Sequence, residues 1–183
     1  SDLGMACCTA LSSFCYMTAV NYVSVAVASL TFFTFPLIVG PLSHFLGMDR
    51  LSRKKLLAII VAFAGLCLVL GGDLELDWRG VALAFLAGCT VAASFVISRT
   101  LIQELPSLTI SAFATGVPCV VYLIIGATMS EMTWPRTTVA SVGVFGNAFC
   151  YAIGMVSLYA AIGRLGALRT AILINAEPLI SVA

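Results

Sequence analysis

Charge is scarce in this chain. Nine Lys or Arg and eight Asp or Glu make up 9% of its 183 residues, against 61% apolar residues and a mean hydropathy of +1.12. A soluble domain carries about 25% charged residues, so an aqueous core is excluded and lipid must be the solvent of this surface. A net charge of +1 gives no sign of a nucleic-acid partner, and none is expected. Histidine is reduced to His44, at the edge of an apolar run. A Ser-His or paired-carboxylate hydrolase within the membrane needs partners at depth, which this inventory does not supply. A phosphate-binding Gly loop with Lys is lacking too, so the chain reads as neither an enzyme nor an ATP-driven pump, and no cofactor is expected. The seven cysteines all fall in apolar runs without a C-x-x-C or Cys/His cluster. They read as small hydrophobes, and neither a metal site nor a disulfide framework is expected.

Long apolar runs are what the chain does have. A bilayer core about 30 Å thick takes roughly 20 residues of helix. Runs between charged or turn-forming clusters give seven spans: Leu3–Val20, Val23–Leu46, Leu56–Leu70, Gly80–Ser98, Ser107–Met129, Val139–Ile162 and Leu165–Ala183. They are continuously apolar rather than alternating, so helices are expected and not a barrel. The fold class is all-α, a polytopic transmembrane bundle. No signal peptide is visible. Ser1-Asp2 leads straight into one run and Ala183 stops inside another, so a fragment of a longer membrane protein is expected.

Cations are lopsided across the connections. Arg50, Arg53, Lys54 and Lys55, then Arg99, then Arg164 and Arg169 share one side by span parity, while Arg79 and Arg136 take the other with Asp73, Glu75, Asp77 and Glu131. The positive-inside rule makes the Arg50–Lys55 loop cytoplasmic. The first span then runs outward and the sixth inward.

Residues 4–41 and 146–183 match at a displacement of 142. Gly4, Ala6, Cys8, Ala10 and Ala19 meet Gly146, Ala148, Cys150, Ala152 and Ala161, and Pro36-Leu37-Ile38 meets Pro178-Leu179-Ile180. Chance similarity between apolar helices is the alternative. Against it, a displacement of five spans makes the repeat inverted, in agreement with the cation count; such repeats build many secondary transporters.

Small residues four apart, Gly4, Cys8 and Ser12 in one copy and Gly146, Cys150 and Gly154 in the other, form stripes suited to close helix packing. A homodimer is the other use of such a stripe. Pro36 and Pro178 are expected to mark bent helices beside a transport pathway. Glu177 is the one acid deep in an apolar run, within Asn175-Ala176-Glu177-Pro178. A charge there costs about 2.5–3.5 kcal/mol. Three readings stay open for it: a proton-coupling group, a contact for a cationic moiety of substrate, or a protonated carboxyl bonded to a neighbouring helix. Asn147, Tyr151 and Thr170 join Glu177, Asn175 and the two prolines as candidate pathway residues. Tyr22 reads as an interfacial anchor.

The stretches Ala19–Pro36 (AVNYVSVAVASLTFFTFP), Leu46–Leu70 (LGMDRLSRKKLLAIIVAFAGLCLVL) and Arg164–Leu179 (RLGALRTAILINAEPL) resemble the EamA-type branch of the drug/metabolite transporter superfamily. The shared pattern is a span with a late proline, a short Gly-acid-Arg turn and a Gly-containing next span. The turn commonly carries Glu where Asp49 stands here. The resemblance implies a ten-helix carrier of two inverted five-helix repeats. On that reading residues 1–72 are the last three helices of the first repeat and 78–183 the first four of the second, family helices three to nine. It also implies a bacterial inner (plasma) membrane protein that exports or exchanges a small metabolite, amino acid or drug-like solute by alternating access; proton coupling stays one of the open readings of Glu177. A non-transporting scaffold or sensor subunit on the same fold is the alternative.

Overall fold

The computed structural model describes residues 2–48, 52, 56–57, 60–61, 64, 77–129 and 137–174. These are helical, and no strand occurs among them. In chain order they form α1 (Asp2–Ala19), α2 (Val25–Phe32), α3 (Phe35–Phe45), α4 (Trp78–Leu101), α5 (Ser107–Met129), α6 (Thr138–Leu165) and α7 (Ala167–Ile174). Four stretches are long and apolar enough to cross a membrane: Val25–Phe45, Trp78–Leu101, Ser107–Thr128 and Thr138–Leu165; α1 is a shorter apolar helix. Of the expected third span, residues 56, 57, 60, 61 and 64 are described and helical, and the seventh is described only as far as Ile174. The architecture is the expected all-α membrane bundle. Phe145, Phe149 and Val142 on α6 are about 70% exposed, a surface that lipid solvates and water would not.

Polar caps set helix starts that apolar runs misplace. Asp77 accepts from the Arg79 N–H at 2.9 Å, so α4 opens at Trp78, before the expected Gly80. Thr137 caps α6 in the same manner through the Ala140 N–H, and Ser24 caps α2 through Val27. The expected continuous span Val23–Leu46 is two helices. The chain turns at Phe33-Thr34, and Pro36 lies in the first turn of α3 rather than at a mid-helix kink. Its missing N–H costs nothing there, because first-turn donors have no intrahelical partner. The carbonyl four residues back belongs to Phe32 and packs on Gly88 of α4, where a Cβ would stand 3.2 Å from that oxygen.

The largest interface joins α1 to α4. Ser12 donates to the Ala87 carbonyl at 2.9 Å, and Val23, beyond the end of α1, presses on Gly80. Rising numbers on one side meet falling numbers on the other, so α1 and α4 are antiparallel. By contrast α6 runs with α4, since Arg99 near the C-terminus of α4 donates to Gly163 O (2.7 Å) and Ile162 O (3.2 Å) at the C-terminus of α6. The helices α1 and α6 therefore point in opposite directions. Their followers keep register as well: α2 begins at Val25 and α7 at Ala167, 142 residues later.

Two apolar clusters hold the bundle. The larger gathers Met5, Phe35, Phe95, Leu101, Ile162 and Leu168 at the Arg99 end. The smaller gathers Ala19, Val23, Val27, Ala28 and Ala84 at the other. At the Arg99 end α6 passes into α7 through Gly166 alone, whose φ of 90° is a conformation only glycine adopts without strain.

Candidate functional site

Between the two clusters the helices part. Three adjoining hollows of about 400, 460 and 350 Å³ lie against α6. These volumes fall in the range of small-molecule sites, roughly 300–1,000 Å³. The first runs from α1 and α4 to α5 and presents the hydroxyls of Thr9, Ser12, Ser13, Ser94, Thr115 and Tyr122. The third adds the rings of Tyr16, Phe33 and Phe35 to Phe32 and Phe95. The second lies between α6 and α7, with Gly154, Ser157, Ala161 and Thr170. None of the described residues lining these hollows carries a charge.

Local chemistry explains how the lining is held. Tyr16 Oη and Ser29 Oγ are 2.8 Å apart, tying α1 to α2 beside the Phe32 ring, which meets Tyr16 edge-on at 5.3 Å. Tyr122 donates to Ala10 O at 3.2 Å and so holds α5 against α1. Pro118 inside α5 cannot bond the Ala114 carbonyl, and Thr9 Oγ1 of α1 lies 3.4 Å from that oxygen. Ala114 and Pro118 both line the first hollow. A proline thus frees a backbone acceptor at membrane depth where a neighbouring hydroxyl or a cavity can take it up.

Of the pathway residues expected from sequence, Tyr151 borders all three hollows, and Thr170 borders the second while donating to Gly166 O at 2.9 Å. Pro36 is buried at the start of α3, beside the lining residue Phe35. Asn147 is exposed one turn before Tyr151 in α6 and borders none of the three. Asn175, Glu177 and Pro178 lie outside the described residues. The packing stripes divide. Ser12 is buried on α4 and Cys8 half-buried, but Gly4 is exposed and has open space at its Cβ position. Gly146 and Gly154 likewise have no neighbour where a Cβ would stand, and Cys150 is exposed. Close packing on Gly146, Cys150 and Gly154 is therefore not found among the described residues, because no described helix covers the first half of α6.

The close approaches occur instead on a stripe that the repeat comparison passed over: Gly80, Ala84, Gly88 and Ala92 of α4, four apart and all buried. That spacing was legible in the sequence. Tyr22 is partly exposed near Trp78 at the far end, with the Arg79 guanidinium 5.9 Å from the Trp78 ring. His44 is exposed in the last turn of α3. Arg99, expected to open a connection, stands within α4.

A multi-pass helical membrane protein with a hollow beside α6 whose described lining carries no charge is thus the class that fold and site define. The family model described as the EamA-like transporter family matches residues 4–71 and 78–183. The chain belongs to the EamA-like transporter family. It is also 34% identical over 97 residues to a protein of Archaeoglobus fulgidus named an uncharacterized transporter. That match covers 53% of this chain and 35% of the relative, so the chain accounts for about a third of the relative's length. No solved structure matches it.

Proposed function

We propose that the chain forms part of a secondary active carrier of the plasma membrane, which exports or exchanges a small metabolite, amino acid or drug-like solute by alternating access. The observation that carries this reading is the hollow beside α6, ringed by hydroxyls and aromatic faces. Such a lining can bind a solute through a few directional hydrogen bonds and much apolar contact. The opposed directions of α1 and α6 and the shared register of α2 and α7 support an inverted repeat. The two stretches matched by the family model support its division at residues 72 to 78. Alternating access then consists of one repeat rocking against the other around the hollow. The apolar cluster at the Arg99 end closes that end of the pathway, and the cation count makes it the cytoplasmic end.

Glu177 is the coupling group on this reading, three residues beyond the last described turn of α7. The test is flux through the full-length gene product reconstituted in vesicles, with a panel of labelled amino acids and neutral metabolites under an imposed pH gradient. Saturable, gradient-driven accumulation of one solute is the expected result. Absence of such flux for the whole panel favours the scaffold reading. A Glu177→Gln protein that keeps both the wild-type rate and its pH dependence removes the coupling role but leaves the carrier.

A further inference from the structure

Three residues of α6, Tyr151, Met155 and Leu158, line every one of the three hollows, and no other described residue does. They stand at i, i+4 and i+7, one face of one helix. That face lines the hydroxyl-bearing chamber of α1, α4 and α5 with its aromatic extension under α2 and α3, and also the chamber between α6 and α7 with Ser157 and Thr170. The stripe is the wall these adjoining spaces share among the described residues, here termed the partition, and each space is large enough for a small solute. An apolar cavity of about 150 Å³ already holds a benzene ring.

We propose that Met155 is the specificity-determining residue of this pathway: its side chain sets the size of solute that can extend across the partition from one chamber to the other. The inference rests on reading the hollow as the transport pathway. Met155 occupies the middle of the stripe and is half-buried, between a Tyr and a Leu. A tyrosine side chain is stiff, and Leu158 is branched. Methionine is unbranched, with three rotatable bonds and a polarizable sulfur that favours contact with rings. Of the three, it can swing clear of a bound solute at the least cost. The lining defines the solute's chemistry: a neutral molecule with a flat apolar body and one or two hydrogen-bonding groups. Rings of Phe32, Phe95 and Tyr16 would face its body, while the hydroxyl oxygens of Ser12, Ser13 and Thr115, whose protons go to backbone carbonyls, would accept from a donor at its polar end. None of the described lining residues would neutralise a charged body.

The test is equilibrium binding of two tritiated probes, benzyl alcohol with one ring and 2-naphthalenemethanol with two, to the full-length protein in nanodiscs. One methylene in an apolar pocket discriminates by about 10-fold or more. Met155→Ala is therefore expected to shift the ratio of the two affinities toward the larger probe by about 10-fold, and Met155→Trp toward the smaller by a similar factor. Met155→Leu conserves volume and should keep the ratio within about threefold. Val142→Ala, on the exposed part of α6, should not move it. A merely structural role for Met155 would weaken both probes together and leave the ratio alone. A ratio within about twofold of wild type in both Met155→Ala and Met155→Trp, with wild type binding at least one probe, overturns the partition while the carrier reading stands. If neither probe binds wild type, the neutral-solute reading of the hollow fails and the partition goes with it.

Discussion

Of the helices that carry small residues at every fourth position, α4 and α6 meet opposite fates among the described residues. On α4, Gly80, Ala84, Gly88 and Ala92 are buried under α1, α2 and α3. On α6, Gly146, Cys150 and Gly154 have no described neighbour. Spacing is the same in both. What differs is the backbone opposite. Gly88 faces the Phe32 carbonyl at the break between α2 and α3, where Pro36 prevents the regular bond, and Gly80 faces Val23 just past α1. A small-residue stripe makes close approach possible, but only a partner whose own chain bends toward it makes that approach happen. The sequence therefore advertises two seams, and only the geometry tells which one is occupied.

The largest effect that tests this contrast comes from filling the occupied seam. A Cβ at Gly88 already comes within 3.2 Å of Phe32 O, and that neighbour is backbone, which cannot rotate away. Gly88→Leu should therefore cost about 3 kcal/mol or more. In detergent, thermal unfolding followed by circular dichroism should fall by roughly 6–12 °C for a chain of this size. Gly88→Ala should fall between that variant and wild type. An unchanged midpoint for Gly88→Leu would mean that α2 and α4 are not in contact at the break.

Arg99 provides the next effect, at the end where both α4 and α6 terminate. Its guanidinium donates to Gly163 O and to Ile162 O, which also accepts the capping Gly166 N–H at 3.0 Å, at the end of α6 that carries the negative pole of the helix dipole. Hydrogen bonds to charged groups contribute about 1.5–3 kcal/mol. Part of this is lost to solvent screening at a half-exposed site, so Arg99→Gln should cost about 1 kcal/mol in the same melts. The link also holds α6 where Gly163 touches Ile102. If Arg99→Gln leaves the midpoint in place, the α6 stripe and its helix are held by the apolar cluster alone.

Much of this was legible in the sequence, and the residues show why the rest was not. Continuous apolar runs gave α4, α5 and α6 to within a turn because lipid solvation writes itself into composition. The break at Phe33-Thr34 was not legible in advance. A proline predicts a disturbance, but whether it kinks a helix or starts a new one depends on what leaves room for the freed carbonyl, here Gly88 with no side chain. Pro118 was passed over in the same way, since nothing local announces that Thr9, more than a hundred residues earlier, lies against Ala114. Tyr151 was legible as a cavity residue from its polarity at depth. Met155 and Leu158 were not, because apolar residues on an apolar helix carry no signal until their neighbours are known. Asn147 shares the Tyr151 face in a helical projection, yet it stands beyond the point where the hollows end.

Ser12 is the one member of the expected stripes whose side chain bonds across helices, and its effect should be smaller. Its hydroxyl donates to Ala87 O, but Thr90 Oγ1 reaches that same oxygen at 2.9 Å. The acceptor is thus not orphaned in Ser12→Ala. Cross-helix hydrogen bonds in membranes average about 0.6 kcal/mol, and a loss of that size or less is expected, a shift of roughly 1–2 °C. A larger loss would show that Ser12 organises the hollow it borders, rather than only the seam behind it.

The smallest effect belongs to the vacant stripe, and it bears most directly on the contrast. Gly146 sits in the half of α6 where Phe145 and Phe149 are exposed on either side, with open space where its Cβ would be. A leucine there adds apolar surface to a helix that lipid already solvates, and it replaces the poorest helix former after proline, a gain of up to about 1 kcal/mol. Gly146→Leu should therefore leave the melting of this chain unchanged or raise it by roughly 1–3 °C. The opposite sign from Gly88→Leu is the point: the same substitution, on the same spacing, separates a seam from a surface. A fall for Gly146→Leu comparable to that for Gly88→Leu would mean that a segment outside the described residues rests on α6. Its partner would then have to match α4 in having small residues on one face.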